Sequence, residues 1–378
     1  LEPVPERVEP RCAHFGVCGG CALQHLDPKE QLVVKQRELR ESLFRLGGVE
    51  PREWFEPIEG PVWSYRRRAR LSARYVRKKG RSLVGFRERG APYVADIRHC
   101  EVLAPPLGEM IEPLAALLTS LEGRELIPQL EVAVSDRDVG IVVRHLETLV
   151  ATDLEKLSAF EQQHGVRFFL QPRGPDTIRP LNDAPVQLQY ELPEFDLLLD
   201  FLPSDFVQIN GAINRRLTSR AVELLQLDAN SRVLDLYCGL GNFTLPLARH
   251  AGEVVGVEGD TGLIERARAN AARNGISNAQ FHVAALSQPP DPRVPWLTGS
   301  YTHVLLDPPR VGAEAMVDTL ARLAPERIVY VSCHTGSLAR DVGALCGPRG
   351  YRLAAAGVVD MFPHTTHAES IALLERQK

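Results

Sequence analysis

From about Asp205 the sequence alternates between short apolar runs and helical stretches, and this alternation constrains the fold more than any other feature. The spacing predicts a helix over 211–227, strand 232–237, helix 243–250, strand 253–258, helix 261–274 and strand 280–284. Strand 301–306, a helix near 314–323, strand 327–332, a helix near 337–346 and strands 351–359 and 369–375 follow. Such alternation implies an α/β, doubly wound, Rossmann-like parallel sheet with helices on both faces. The last two strands read as an antiparallel edge pair. In this architecture ligands bind at the carboxyl ends of the strands.

The residues at those ends are informative. Val233–Asn242 is an apolar strand running into the turn Cys238-Gly239-Leu240-Gly241-Asn242, where glycine lets backbone approach a ligand closely. Glu258 ends the next strand, placed to bind both hydroxyls of an adenosyl ribose. That acid alone also fits a nicotinamide dinucleotide. The stiff loop Asp307-Pro308-Pro309-Arg310 and the strand-end thiol Cys333 favour S-adenosylmethionine instead. Asp307, when ionised, only accepts hydrogen bonds and suits an N–H donor such as uracil N3–H. Cys333 reads as a nucleophile rather than an inert small hydrophobe. Met361–Ser370 then brings His364, His367 and Glu369 to the same edge. Glu369 reads as the base and the two histidines as pocket supports. Zinc on the histidines has no obvious third ligand in the sequence.

The first half is built differently. Residues 1–11 are polar and proline-rich, and a start at Leu rather than Met reads as the trailing end of a processed or truncated chain. Asp27-Pro28-Lys29-Glu30 begins a helix, with Asp as N-cap and Pro at the first position, that runs to Gly47-Gly48. Residues 65–76 and 81–87 read as a hairpin around Lys79-Gly80. From Tyr65 to Arg89 there are eleven Lys/Arg and one acid, Glu88, a local balance of +10 in a chain of net charge −4. With Tyr65, Tyr75 and Phe86 between the arginines, this stretch suits RNA: phosphate contact and base stacking. Residues 106–122 look helical, and 129–150 and 166–200 look like alternating strands. Cys12-x5-Cys18-x2-Cys21, with the remote Cys100 as fourth thiol, resembles a cubane iron–sulfur site more than the paired spacing of zinc.

At 378 residues and 44% hydrophobic content the chain is an ordinary globular protein of two domains, with no membrane-length apolar run and no signal peptide. A cytoplasmic monomer is expected.

Together these segments resemble the iron–sulfur RNA (uracil-5-)methyltransferases, most closely the bacterial 23S ribosomal RNA branch. The resemblance runs over Cys12–Cys21, Ser204–Asn210, Asp235–Asn242, Asp307–Arg310, Ser332-Cys333 and Asp360–Glu369. It implies a [4Fe–4S] cluster on Cys12, Cys18, Cys21 and Cys100. It implies S-adenosylmethionine contacts from Gln208, Tyr237, Gly239, Gly241, Asn242, Glu258 and Asp307, with Cys333 as nucleophile and Glu369 as base. The target uridine would be flipped or in a loop. It also divides the chain into residues 1–11, the remnant of an RNA-binding barrel; 12–204, an iron–sulfur and RNA-binding domain whose helix near 28–46 packs on its neighbour; and 205–378, the catalytic domain. The chain departs from the family pattern at His334-Thr335, where Asn-Pro is usual, and at Ala285, where an Asn contacts the cofactor. The competing readings are an RNA cytosine-5 methyltransferase, which has a cysteine where this chain has Arg310; a transfer-RNA uracil-5 methyltransferase; and an RNA-binding factor weakened by His334.

Overall fold

A computed structural model describes residues 5–183, 186 and 188–377; the first four residues of the expected barrel remnant lie outside it. Eight strands form the larger sheet. Their spatial order is Glu53–Trp54, Tyr351–Val359, Glu369–Arg376, Arg327–Ser332, His303–Leu306, Arg232–Leu236, Glu253–Glu258 and Ala279–Val283. The last five in that order run parallel. Their side chains alternate between two cores: Val233, Val254, Leu305 and Val329 face one side, Leu234, Val255, Leu306 and Ile328 the other. Burial on both faces is why these strands are continuously apolar in sequence.

The predicted antiparallel pair forms between Tyr351–Val359 and Glu369–Arg376, but it is not the edge. Glu369–Arg376 lies inside the sheet, against Arg327–Ser332, and the two-residue strand Glu53–Trp54 pairs parallel to Ala355-Ala356 and takes the outer position. An unpaired strand as buried as Tyr351–Val359 would leave a sticky edge. Gly357 makes the cover possible, because a Cβ there would come within 2.7 Å of the Phe55 Cβ.

The helix Pro28–Arg45 also belongs to this half. The Asp27 side chain accepts the Lys29 N–H at 2.9 Å, and Leu32, Leu39 and Leu43 enter the second core. The helix lies against Thr335–Leu345, where the Thr335 hydroxyl donates to Glu38 at 3.1 Å. The hairpin Leu188–Leu192/Leu197–Phe201 packs into the first core.

A second sheet of six strands runs Arg81–Gly85, Arg68–Val76, Gln129–Val134, Val139–Arg144, Val166–Gln171, Arg179–Pro180. The basic hairpin is its first pair, turning through Gly80 at φ 62°. The gap between the two segments read as strands, 129–150 and 166–200, holds a helix, Ala151–His164, which crosses between Val139–Arg144 and Val166–Gln171 and makes that pair parallel. No helix among the described residues is long and apolar enough to cross a membrane.

Leu39 is fully buried between the helix and the large sheet. Leu39→Ala is expected to cost about 2–5 kcal/mol, read as a lower urea midpoint with unchanged slope. A loss within error of zero would mean that the helix does not contribute to the core of the large sheet.

Candidate active site

The large sheet brings the predicted strand-end residues to one level. Leu236 is in register with Val257 on one side and Leu306 on the other, so Tyr237, Glu258 and Asp307 stand side by side at the carboxyl edge. Ser332 pairs with Ser370, so the next positions of that antiparallel ladder are Cys333 and Glu369. Glu369 is also in register with Val359 on its other flank.

The glycine turn is shaped by backbone in the left-handed region at Tyr237, Gly239 and Gly241, with φ of 64°, 55° and 98°. At Gly241 a Cβ would press on the Leu245 side chain at 3.2 Å. The Glu258 carboxylate accepts the N–H groups of Gly239 at 3.3 Å, Gly259 at 2.6 Å and Asp260 at 3.1 Å. Carboxylate oxygens have spare lone pairs, so ribose hydroxyls can still be bound. Tyr237 donates its hydroxyl to the Leu286 carbonyl at 3.2 Å. Gln208 reaches the site from the earlier loop and donates to Asp307 at 3.3 Å. The Asn242 amide is committed elsewhere: its oxygen accepts from Tyr190 and Asn214, both at 2.9 Å, and its nitrogen donates to Asn214 at 3.0 Å. Ala285 is exposed and offers no side-chain hydrogen bond.

The edge is short of positive charge. Burial, with neighbouring Asp307, pushes Glu369 up to about 8. Burial pushes Asp307 up to about 7 although its side chain keeps some solvent contact, and the Gln208 hydrogen bond opposes the rise. Buried Asp235, beneath the turn, rises to about 8 despite accepting the Thr244 hydroxyl at 2.6 Å. Burial, then Glu369 and Asp307, push the Cys333 thiol up to about 11, while Arg310 pulls it down. A carboxyl group near 8 holds its proton at neutral pH, and its ionised form is a stronger base than an ordinary carboxylate.

His334, a departure from the family pattern, has a local task. Its Nδ1 accepts the Ser337 N–H at 3.1 Å and so caps the helix Thr335–Leu345. A capping Asn would use its carbonyl oxygen in the same way. His364 is buried, stacked on Trp63 with ring centroids 3.9 Å apart, and burial lowers its basicity to about 4, so it is neutral. His367 is exposed beside Phe362.

Away from this edge, Cys12, Cys18, Cys21 and Cys100 line a single cavity whose walls include Phe15 and Phe86. All four are free thiols. Burial raises each, Cys21 to about 11 and Cys100 to about 12. Among the described residues no three His, Cys, Asp or Glu side chains converge as a single metal ion requires. Four thiols around one apolar cavity are nevertheless a donor set that fits an all-sulfur cluster.

The basic hairpin is less free than its sequence suggests. Arg67 pairs with Asp136, Arg68 and Arg70 with Glu131, Arg77 with Glu125, and Lys79 and Arg81 with Asp96. Among the described residues Arg66, Arg74, Lys78, Arg87 and Arg89 have no acidic partner. Its aromatics are not open platforms. Tyr65 is buried and donates to the Pro363 carbonyl at 2.9 Å, Arg124 covers Tyr75, and Arg66 covers Phe86.

Sequence reasoning missed one group. Lys35, 1% exposed, donates to Asp360 at 2.7 Å and to the Phe362 carbonyl at 2.9 Å. Lys and Gln on a polar helix read as a solvated face, and nothing in the sequence pattern contradicts that.

The profile of the tRNA (Uracil-5-)-methyltransferase family matches residues 143–288 and 297–377. The 23S rRNA (uracil(1939)-C(5))-methyltransferase RlmD of Xanthomonas oryzae pv. oryzae is 50% identical over all of this chain and 85% of its own length. Its counterpart in Stenotrophomonas maltophilia is 49% identical with the same coverage. Among solved structures, the Pyrococcus abyssi tRNA (uracil-54, C5)-methyltransferase in complex with S-adenosyl-L-homocysteine superposes with a TM-score of 0.74 at 25% identity, covering 99% of this chain and 87% of its own.

Glu369 and Asp307 both hold a proton more tightly folded than unfolded. The native state therefore binds the extra protons between the ordinary carboxylate range and about pH 8, and stability falls as pH rises through that window. Glu369→Gln removes one of these groups, so the variant should gain on wild type in melting temperature between about pH 5 and about pH 9. An equal difference at both pH values would show that Glu369 is not held protonated by burial.

Proposed function

The chain belongs to the tRNA (uracil-5-)-methyltransferase family, and from that premise we propose that it methylates C5 of a uridine in 23S ribosomal RNA, using S-adenosylmethionine. Ribosomal rather than transfer RNA rests on relatives near 50% identity over the whole chain, all named as 23S enzymes acting at one uridine. The chemistry rests on one observation: Cys333 and Glu369 follow directly on the last pair, Ser332 with Ser370, of one antiparallel ladder, close enough to Asp307 for its charge to bear on both.

The roles follow from what each group can do. Uracil C5 is a weak nucleophile. The Cys333 thiolate adds to C6, and the electrons of the C5–C6 double bond make C5 enolate-like. Bound S-adenosylmethionine supplies the methyl group to that carbon. Glu369 then takes the C5 proton, the C5–C6 double bond re-forms, and the Cys333 sulfur leaves C6. Arg310 favours the thiolate, whereas Glu369 and Asp307 oppose it. Glu369 acts as base only once its own proton has left to solvent, and its raised pKa then makes it a stronger base than an ordinary carboxylate. Gln208, Tyr237, Gly239, Gly241, Glu258 and Asp307 hold the cofactor. Asn242 contributes through the turn it stabilises, since its amide is already paired. The target must leave its stack to meet Cys333. His334 caps a helix, which favours an active enzyme over a weakened RNA-binding factor. Arg310 in place of a cysteine disfavours cytosine chemistry.

The cavity thiols Cys12, Cys18, Cys21 and Cys100 would hold a [4Fe–4S] cluster, which several irons spread across more space than one ion needs. The unpaired Arg66, Arg74, Lys78, Arg87 and Arg89 would contact RNA phosphates. The domain division at about 204 then has an exchange across it, with Pro28–Arg45 and Leu188–Phe201 packed on the catalytic side. A cytoplasmic monomer completes the reading.

Two experiments test it. With 23S RNA lacking the modification, Cys333→Ala should give neither 5-methyluridine nor a covalent adduct. Glu369→Gln should accumulate a denaturant-resistant adduct that carries the methyl group. Continued methylation by Cys333→Ala, or wild-type turnover by Glu369→Gln, would overturn the roles. Protein purified without oxygen should hold about four irons per chain and lose them in Cys100→Ser. A colourless protein with one zinc would rule out the cluster.

A further inference from the structure

The loop that delivers Glu369 is fastened to residues from the start of the chain. Lys35 holds Asp360 and the Phe362 carbonyl. Tyr65 holds the Pro363 carbonyl. His364 is held on both sides of its backbone: its N–H donates to the Gln31 side-chain oxygen at 2.8 Å, and its carbonyl accepts from Ala22 at 2.8 Å and Leu23 at 3.0 Å. The Gln31 amide nitrogen donates to the carbonyls of Leu23 at 3.0 Å and Leu26 at 2.9 Å, and lies 3.2 Å from His364 Nδ1. Gln31, 2% exposed, thus ties the segment following Cys21 to the catalytic loop.

His364 has φ 64°, a conformation that a non-glycine residue keeps only when its surroundings enforce it. The Gln31 oxygen and the two backbone N–H groups enforce it here. Five residues later the chain enters the strand at Glu369. Among the described residues, Gln31 makes no hydrogen bond to the Cys333 loop or to the glycine turn. Displacing it would move the base and leave the nucleophile and cofactor turn in place.

We propose that Gln31, with the backbone of Ala22 and Leu23, is a positioning device for Glu369, so that the segment carrying Cys21 acts on removal of the C5 proton and not on thiol addition or methyl transfer. The proposal rests on the reading of Glu369 as the base. It gives the cysteine-lined cavity a mechanical link to one chemical step: whatever orders Cys21 orders the backbone donors that hold His364.

The test is single-turnover kinetics on unmodified 23S RNA with S-adenosylmethionine. Release of S-adenosylhomocysteine times methyl transfer, and decay of the denaturant-resistant adduct times proton removal. Gln31→Met keeps the length and removes the hydrogen bonds. It should slow adduct decay by about 10-fold or more while methyl transfer stays within about 3-fold of wild type. Trp63→Leu, which removes the ring stacked on His364, should shift the same ratio in the same direction, and decides the matter if Gln31→Met does not fold. Both rates falling together, or neither changing, would overturn the proposal. Glu369→Gln run alongside separates the two ideas. If it builds up no adduct, the base assignment fails. If it does and neither clamp variant does, the clamp alone fails.

Discussion

The structure depends on the direction of one strand. In a parallel sheet only the ends of strands reach the ligand edge. Glu369–Arg376 runs antiparallel to Arg327–Ser332, so its first residue, not its last, arrives there. That reversal places a carboxylate opposite a thiol that ends a parallel strand. The register is enforced from both sides, by Ser332 with Ser370 and by Val359 with Glu369. It is enforced from within as well, because Ile371 and Leu373 enter one core while Ala372 and Leu374 enter the other. A slip of one residue would exchange these faces and turn Glu369 away from the site. Ordinary apolar packing along eight residues thus fixes the position of Glu369.

The same burial sets the chemistry. Asp235, Asp307 and Glu369 are all displaced toward neutrality, and the Cys333 thiol toward its protonated form. Removal from water is the largest cause in each case, and for Asp235, Glu369 and Cys333 neighbouring acids add to it. One cation, Arg310, pulls the thiol the other way. As the proposed base, a Glu369 near 8 fits a step late in the reaction, when C5 of the methylated adduct carries a proton next to the C4 carbonyl and a strong base is not needed.

How much of this was legible divides along physical lines. The doubly wound half was readable because strands buried on two faces must be apolar throughout, and because Gly239, Gly241, Pro308 and Pro309 mark turns that other residues would not form. Cys333 and Glu369 were readable as residues out of character with the strands they adjoin. Glu53–Trp54 was not, since two residues have no period. The helix Ala151–His164 was not, since a polar helix on a sheet surface gives a weak stripe. Gln31 and Lys35 were hidden because their partners, His364 and Asp360, lie more than three hundred residues later. A buried polar group is recognisable only by what satisfies it, and that is information the linear sequence does not display.

The basic hairpin shows the same limit in charge. Counted along the chain, residues 65–89 stand apart at +10. Counted in space, Asp96, Glu112, Glu125, Glu131 and Asp136 lie against them, all from later in the chain than the window. Surface pairs of this kind contribute little to stability, but they lower the field that a polyanion meets and orient the arginines along the sheet. Of the cations left unpaired, Arg74 and Lys78 stand toward the turn of the hairpin, whereas Arg87 and Arg89 lie beside Gly19 and Gly20 of the cysteine loop. An RNA held there would rest against the segment whose next residues, Ala22 and Leu23, grip the carbonyl of His364. Arg87 and Arg89, the cysteine cavity and the loop before Glu369 are therefore met in turn by one stretch of backbone, from Gly19 to Leu23.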